Sequence, residues 1–146
     1  MGESVDKSLH LIKLSVGTES VDSLAKWQAS KAAQGPDGLP RHVTRMWPKR
    51  ESELLVNGSI YWIIKGVVLC RQRIQRLDEV IGGDGIRRCA IVLDPELIRV
   101  EAAPKRAFQG WRYLDGKDAP RDLTQGIAND DLPPKPVLAL SEVGIR

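Results

Sequence analysis

The chain has few of the residues that build reactive centres. Its 146 residues include two cysteines, two histidines and one phenylalanine. Cys70 and Cys89 form no CxxC, so neither a zinc ribbon nor a disulfide framework is available, and their apolar neighbours mark them as core thiols. Without clustered Cys or His, a transition-metal site would need carboxylates from scattered positions, and neither metal nor cofactor is expected. The motifs GxSxG, HExxH and GxGxxG and the P-loop are all absent. VIGGDGIRR at 80–88 leads into a strand and lacks the helix N-terminus that would hold a phosphate, so it reads as a turn. No run reaches the roughly 18 apolar residues of a membrane span, so no membrane partner is expected. The opening MGESVDKSLH is polar and acidic where a signal peptide is basic and then apolar, and Asp6 stands where myristoylation wants Ser or Thr. A cytoplasmic location is the expectation.

What is present is basic charge, unevenly spread. The net charge is only +3, yet residues 41–112 hold 14 Lys/Arg against 8 Asp/Glu, while the segments before and after are slightly acidic. Within RHVTRMWPKR, at 41–50, four cations, a histidine and a tryptophan occur without an acid. Such asymmetry points to an anionic partner more directly than the overall charge does.

Hydrophobic periodicity divides the chain into short elements. LHLIKLSVG (9–17) reads as a strand, with Leu9, Leu11 and Lys13 on one face and His10, Ile12 and Leu14 on the other. A helix over 18–35 follows, capped by Thr18 or Ser20, with Val21, Leu24, Ala25 and Gln28 at helical spacing and Gly35–Pro36 as its stop. RHVTRMW (41–47) reads as a strand ended by Pro48, which places Arg41, Val43, Arg45 and Trp47 on one face and His42, Thr44 and Met46 on the other. A short helix over 49–58 buries Leu54 and Leu55 and ends at Asn57–Gly58. IYWIIKGVVL (60–69) reads as one central strand covered on both faces. RQRIQRLDEVIGG (71–83) is ambiguous: it can begin as a continuation of the preceding strand, but Ile74, Leu77 and Ile81 at helical spacing favour a helical turn. Arg87–Leu93 and Leu97–Glu101 flank Asp94–Pro95–Glu96 as a hairpin, and FQGWRYL (108–114) is a last aromatic strand. Beyond it, VLALSEVG (137–144) is a short terminal helix tethered by LPPKP. The expected class is α+β: a small mixed, curved or barrel-like sheet with two or three helices, one domain over 1–123 and a Pro-rich tail over 124–146.

The chemistry expected of this pattern is binding. Arg41, Arg45, Lys49, Arg50, Arg71, Arg73 and Arg112 can neutralise phosphates, and Trp47 or Trp111 can stack on unpaired bases, at roughly 1–3 kcal/mol per base. Core packing explains Trp62 more simply, and competes with base stacking at Trp47 and Trp111. Lys65 interrupts an apolar run, so its ammonium is either buried and paired or lines a cleft. His42, Thr44 and Tyr61 are pocket candidates, whereas His10 reads as a core or edge residue. No catalytic residues are assigned, because no nucleophile and base are placed together.

HVTRMWPKR, GSIYWIIKG, RQRI, GIRRCAIVLDPELIRVEA and PKRAFQGWRYL together resemble a family of small bacterial proteins, described mainly from alphaproteobacteria and recorded as a domain of unknown function. The resemblance spans roughly residues 9–123 and implies no activity and no site residues. ELLVNGSIYWIIKG is also similar to the helix, glycine turn and strand of PUA-like domains, including their ASCH and EVE branches. That similarity implies a pseudo-barrel binding RNA or modified bases, although the GxKxxExR spacing of ASCH domains is not reproduced. The leading expectation is a non-enzymatic domain for RNA or another single-stranded nucleic acid. The alternatives are an enzyme on a nucleotide or small anionic metabolite, using Lys65, His42 and Thr44, and a protein-interaction module with a Trp/Tyr docking patch.

Overall fold

Strand β1 (Leu9–Leu14) lies inside the sheet, paired in parallel with β3 (Ser59–Ile64) and antiparallel with β7 (Trp111–Asp115). A computed structural model describes residues 8–123. Seven strands form one mixed sheet in the order β2-β5-β4-β3-β1-β7, with β6 (Ile98–Pro104) branching from β4 (Val67–Ile81). The remaining strands are β2 (Arg41–Thr44) and β5 (Arg87–Leu93). The α+β class is as expected, and the sheet remains open, with β2 and β7 at its two ends. The terminal helix expected at 137–144 lies outside the described residues.

Two helices cover one face. In α1 (Val21–Gln28), Ser20 accepts from the Ser23 amide and the Ser23 hydroxyl accepts from the Ser20 amide, a reciprocal cap. The helix stops at Gln28, well short of Gly35, and only a 3-10 turn at 31–33 follows. In α2 (Glu51–Asn57), Leu54 is fully buried. Val21, Leu24 and Leu54 pack with Leu11, Ile60, Trp62, Ile74 and Trp111 into the larger core. The opposite face carries a smaller cluster of Ile12, Tyr61, Ile63, Val68 and Val100, to which neither helix contributes a buried residue.

Three expectations are corrected. The apolar run at 60–69 is two strands, because Lys65 (φ 51°) and Gly66 (φ 81°) form a tight left-handed turn between β3 and β4. The stretch 71–81 is strand throughout. Its alternation buries Cys70, Gln72 and Ile74, and a bulge between Ile74 and Arg76 then moves the next inward position to Leu77. That three-residue step imitates helical spacing. Finally, β5 and β6 do not pair with each other across Asp94–Pro95–Glu96, because each pairs with a different part of β4. Tall β4 therefore has β3 and β6 on its two edges along its first half and β5 along its second.

Candidate functional site

The two faces of the sheet sort the basic residues into two hollows. Strand alternation sends Tyr61, Arg71 and Arg73 to the face of the smaller core, where a cavity of about 830 Å³ opens. His10, Asp94, Glu96, Lys117, Arg121 and Asp122 also line it. His10 meets Tyr61 edge-on at 5.0 Å, and its Nδ1 accepts the Ser59 amide at 3.0 Å. Arg71 is largely committed: Asp122 takes two of its N–H groups at 2.8 Å each, and the Ser59 hydroxyl takes a third at 2.8 Å. Those hydrogen bonds hold Asp122 below, and Arg71 above, the usual range for its type. The pair ties the segment around Asp122 to β4, and a bridge between Val100 and Asp122 ties it to β6. Arg73 gives one hydrogen bond, at 3.2 Å, to the Val56 carbonyl. Four cations on this rim thus face three carboxylates.

The second hollow is smaller and differently charged. It lies between the end of β1, helix α1 and the start of β2, and encloses about 120 Å³. Lys13, Arg41 and His42 line it, with the hydroxyl residues Ser15 and Thr18, and its described lining includes no carboxylate. Among the described residues Lys13 donates only to the neighbouring Leu14 carbonyl, at 3.3 Å, and burial lowers its pKa. His42 stands edge-on to Trp62 at 6.1 Å, and burial, helped by the charge of Lys13, pushes it down to about 4. It is therefore a neutral imidazole at neutral pH. The Arg41 stem runs across Gly35, where an added Cβ would sit 3.3 Å from the Arg41 Cδ. At the lip is Trp27, 53 % exposed.

The cleft floor is held by a closed polar network. Gln28 and Gln72 exchange both amide hydrogen bonds, at 2.6 and 2.7 Å. Gln72 also accepts from the Trp62 indole at 2.8 Å and donates to the Asp94 carbonyl at 2.9 Å. Trp62 is accordingly a core residue, 5 % exposed.

The other expected site residues go elsewhere. Trp111 is buried, and its indole donates to the Met46 carbonyl at 2.9 Å, so no ring face is offered to a ligand. Trp47 packs against the core and is covered by the Arg87 guanidinium, 4.4 Å above its ring. Arg50 forms a two-bond pair with Glu53, and Arg112 lies over Phe108 at 4.1 Å. Strand β2 ends at Thr44, whose hydroxyl takes the Met46 amide, so Arg45 and Trp47 do not continue its alternation. Arg45 and Lys49 are exposed and make no ion pair among the described residues. Lys65 sits on its turn, exposed and 3.4 Å from Glu19, and lines neither hollow. Both thiols are buried, and burial raises Cys70 to about 12 and Cys89 to about 11, which leaves them unreactive. Among the described residues no group of three or more His, Cys, Asp or Glu could hold a metal, and no helix is long and apolar enough to cross a membrane.

Lys13 and Trp27 escaped the sequence reading, although each left a trace. Lys13 alternates with buried Leu9 and Leu11, and Trp27 lies off the Val21–Leu24–Gln28 stripe, so one had to point inward and the other outward.

The chain belongs to the family described as "Protein of unknown function (DUF1489)", whose model matches residues 11–146. Membership of an uncharacterised family is thus as expected. No curated protein and no solved structure was found to match.

Proposed function

We propose that this domain binds single-stranded nucleic acid, RNA or a strand carrying a modified base, without catalysis, and that it does so at the cleft between α1 and β2. One observation carries the reading: Lys13, Arg41 and His42 converge beside an exposed tryptophan with no carboxylate in the described lining. Cations there gain phosphate contacts without first breaking an ion pair among the described residues, and a flat exposed ring accepts any base. The large cavity suits a polyanion less well, because Arg71 would have to leave Asp122 and the rim carries Asp94 and Glu96. A PUA-like kinship agrees with such a ligand and belongs to the same proposal.

The enzyme reading draws no support from these positions. Lys65 and Thr44 line neither hollow, which leaves His42 without the partners that reading assigned to it.

Titration of labelled mixed-sequence RNA and single-stranded DNA at low salt tests the proposal. Micromolar binding with a change in tryptophan fluorescence is expected, weakening as salt rises. Trp27→Ala is expected to lower affinity roughly 5- to 150-fold, the value of one stacked base. No mobility shift and no fluorescence change at micromolar RNA would rule the proposal out.

A further inference from the structure

We propose that the α1–β2 cleft is a receptor for a terminal phosphate, so that the domain recognises the phosphorylated end of a strand and not its interior. This rests on the nucleic-acid reading and narrows it. The first argument is size. A hollow of about 120 Å³ has room for a group the size of a single tetrahedral anion. Pockets that enclose a whole nucleoside-sized ligand run to about 300 Å³ or more. The base must then lie outside, and Trp27 stands at the lip to take it.

The second argument is charge. An internal phosphodiester carries one negative charge and brings a sugar on either side, whereas a terminal phosphomonoester carries about −1.5 to −2 at pH 7 and enters by a free end. Lys13 and Arg41 supply two positive charges, and no carboxylate in the described lining offsets them. The Arg41 fork is suited to two parallel bonds with phosphate oxygens. Ser15 and Thr18, whose hydroxyls are 2.6 Å apart, and the neutral His42 ring add polar groups that can face the remaining oxygens. Burial without a counter-charge disfavours the Lys13 ammonium in the free protein, and an anion in the cleft relieves that penalty.

The test compares one labelled single-stranded RNA sequence as the 5′-phosphate, the 3′-phosphate and the dihydroxyl form, bound to the full chain at fixed salt. One of the phosphorylated forms is expected to bind about tenfold or more tighter than the dihydroxyl form, and which one it is identifies the end that is read. Arg41→Ala and Lys13→Gln are each expected to bring that ratio close to one, with thermal melts confirming that both variants fold. Trp27→Ala is expected to weaken all three forms and keep the ratio. Equal binding of all three RNAs by the wild-type chain would overturn the terminal-phosphate proposal and leave the nucleic-acid reading standing. If none of the three binds, both fall.

Discussion

Gln72→Leu is expected to destabilise the domain by about 3–5 kcal/mol, the largest effect of any single side-chain change proposed for this fold. Gln72 is fully buried, and its amide uses both donors and both acceptor positions, on Gln28, Asp94 and Trp62. Leucine of similar size would fill the space but leave the Trp62 indole, the Gln28 amide and the Asp94 carbonyl without that partner. Each orphaned group adds about 1–3 kcal/mol, discounted where water reaches it. Urea unfolding followed by tryptophan fluorescence measures the loss. Removing both amides together, as Gln28→Leu with Gln72→Leu, should cost less than the sum of the single changes, because neither amide is then left facing an apolar group. Strictly additive losses would show that the two amides do not act as a pair.

The second large effect falls on a residue with no side chain. Gly58→Ala is expected to destabilise by about 3 kcal/mol, lowering the melting temperature by roughly 10 °C. Gly58 joins α2 to β3, and an added Cβ would stand inside 3.0 Å of the carbonyl oxygens of both Leu54 and Leu9. Neither can yield cheaply. The Leu54 oxygen closes α2 by accepting the Gly58 amide at 2.7 Å, and Leu9 belongs to the interior strand β1. The Gly58 carbonyl in turn accepts the Ile74 amide at 3.0 Å, so displacement here also disturbs the bulge of β4. A melting temperature within about 2 °C of wild type would contradict this account of the junction.

Gly58 also shows how sequence and structure divide the information. An Asn-Gly pair after a short helix reads as a left-handed cap, but the residue has φ −84°, open to any amino acid. What it requires is space between two backbone oxygens, and space is set by distant β1. The same holds for β4. The pattern of Ile74 and Leu77 could not reveal a bulge, because a three-residue step is equally helical until the pairing with β5 is known. Lys65 looked like a cation inside a strand because only its positive φ, with that of Gly66, marks the turn. Local signals that needed no partner were legible: a helix cap at Thr18 or Ser20, the burial of Leu54 and the mixed α+β class.

The site was legible in halves. Arg41 and His42 stood out as part of an acid-free stretch, and the fold brings them beside Lys13 and Trp27, which lie 14 or more positions away in the chain. The aromatics that looked available, Trp47 and Trp111, are covered or buried by contacts with Arg87 and Met46. Nothing within a local window announces those long-range contacts. Charge density suggested the anion-binding chemistry proposed for the cleft, and topology decided which ring stands beside it.

The central claim is that nucleic acid engages the cleft and not the larger cavity on the opposite face. Amide and indole correlation spectra of the ¹⁵N-labelled chain, recorded while a phosphorylated single-stranded RNA is added, test it most directly. The account predicts that the Trp27 indole N–H and the amides of Lys13, Arg41 and His42 shift together and saturate with one affinity. Shifts centred instead on Arg73, Lys117 and Arg121, with the Trp27 indole unmoved, would contradict it.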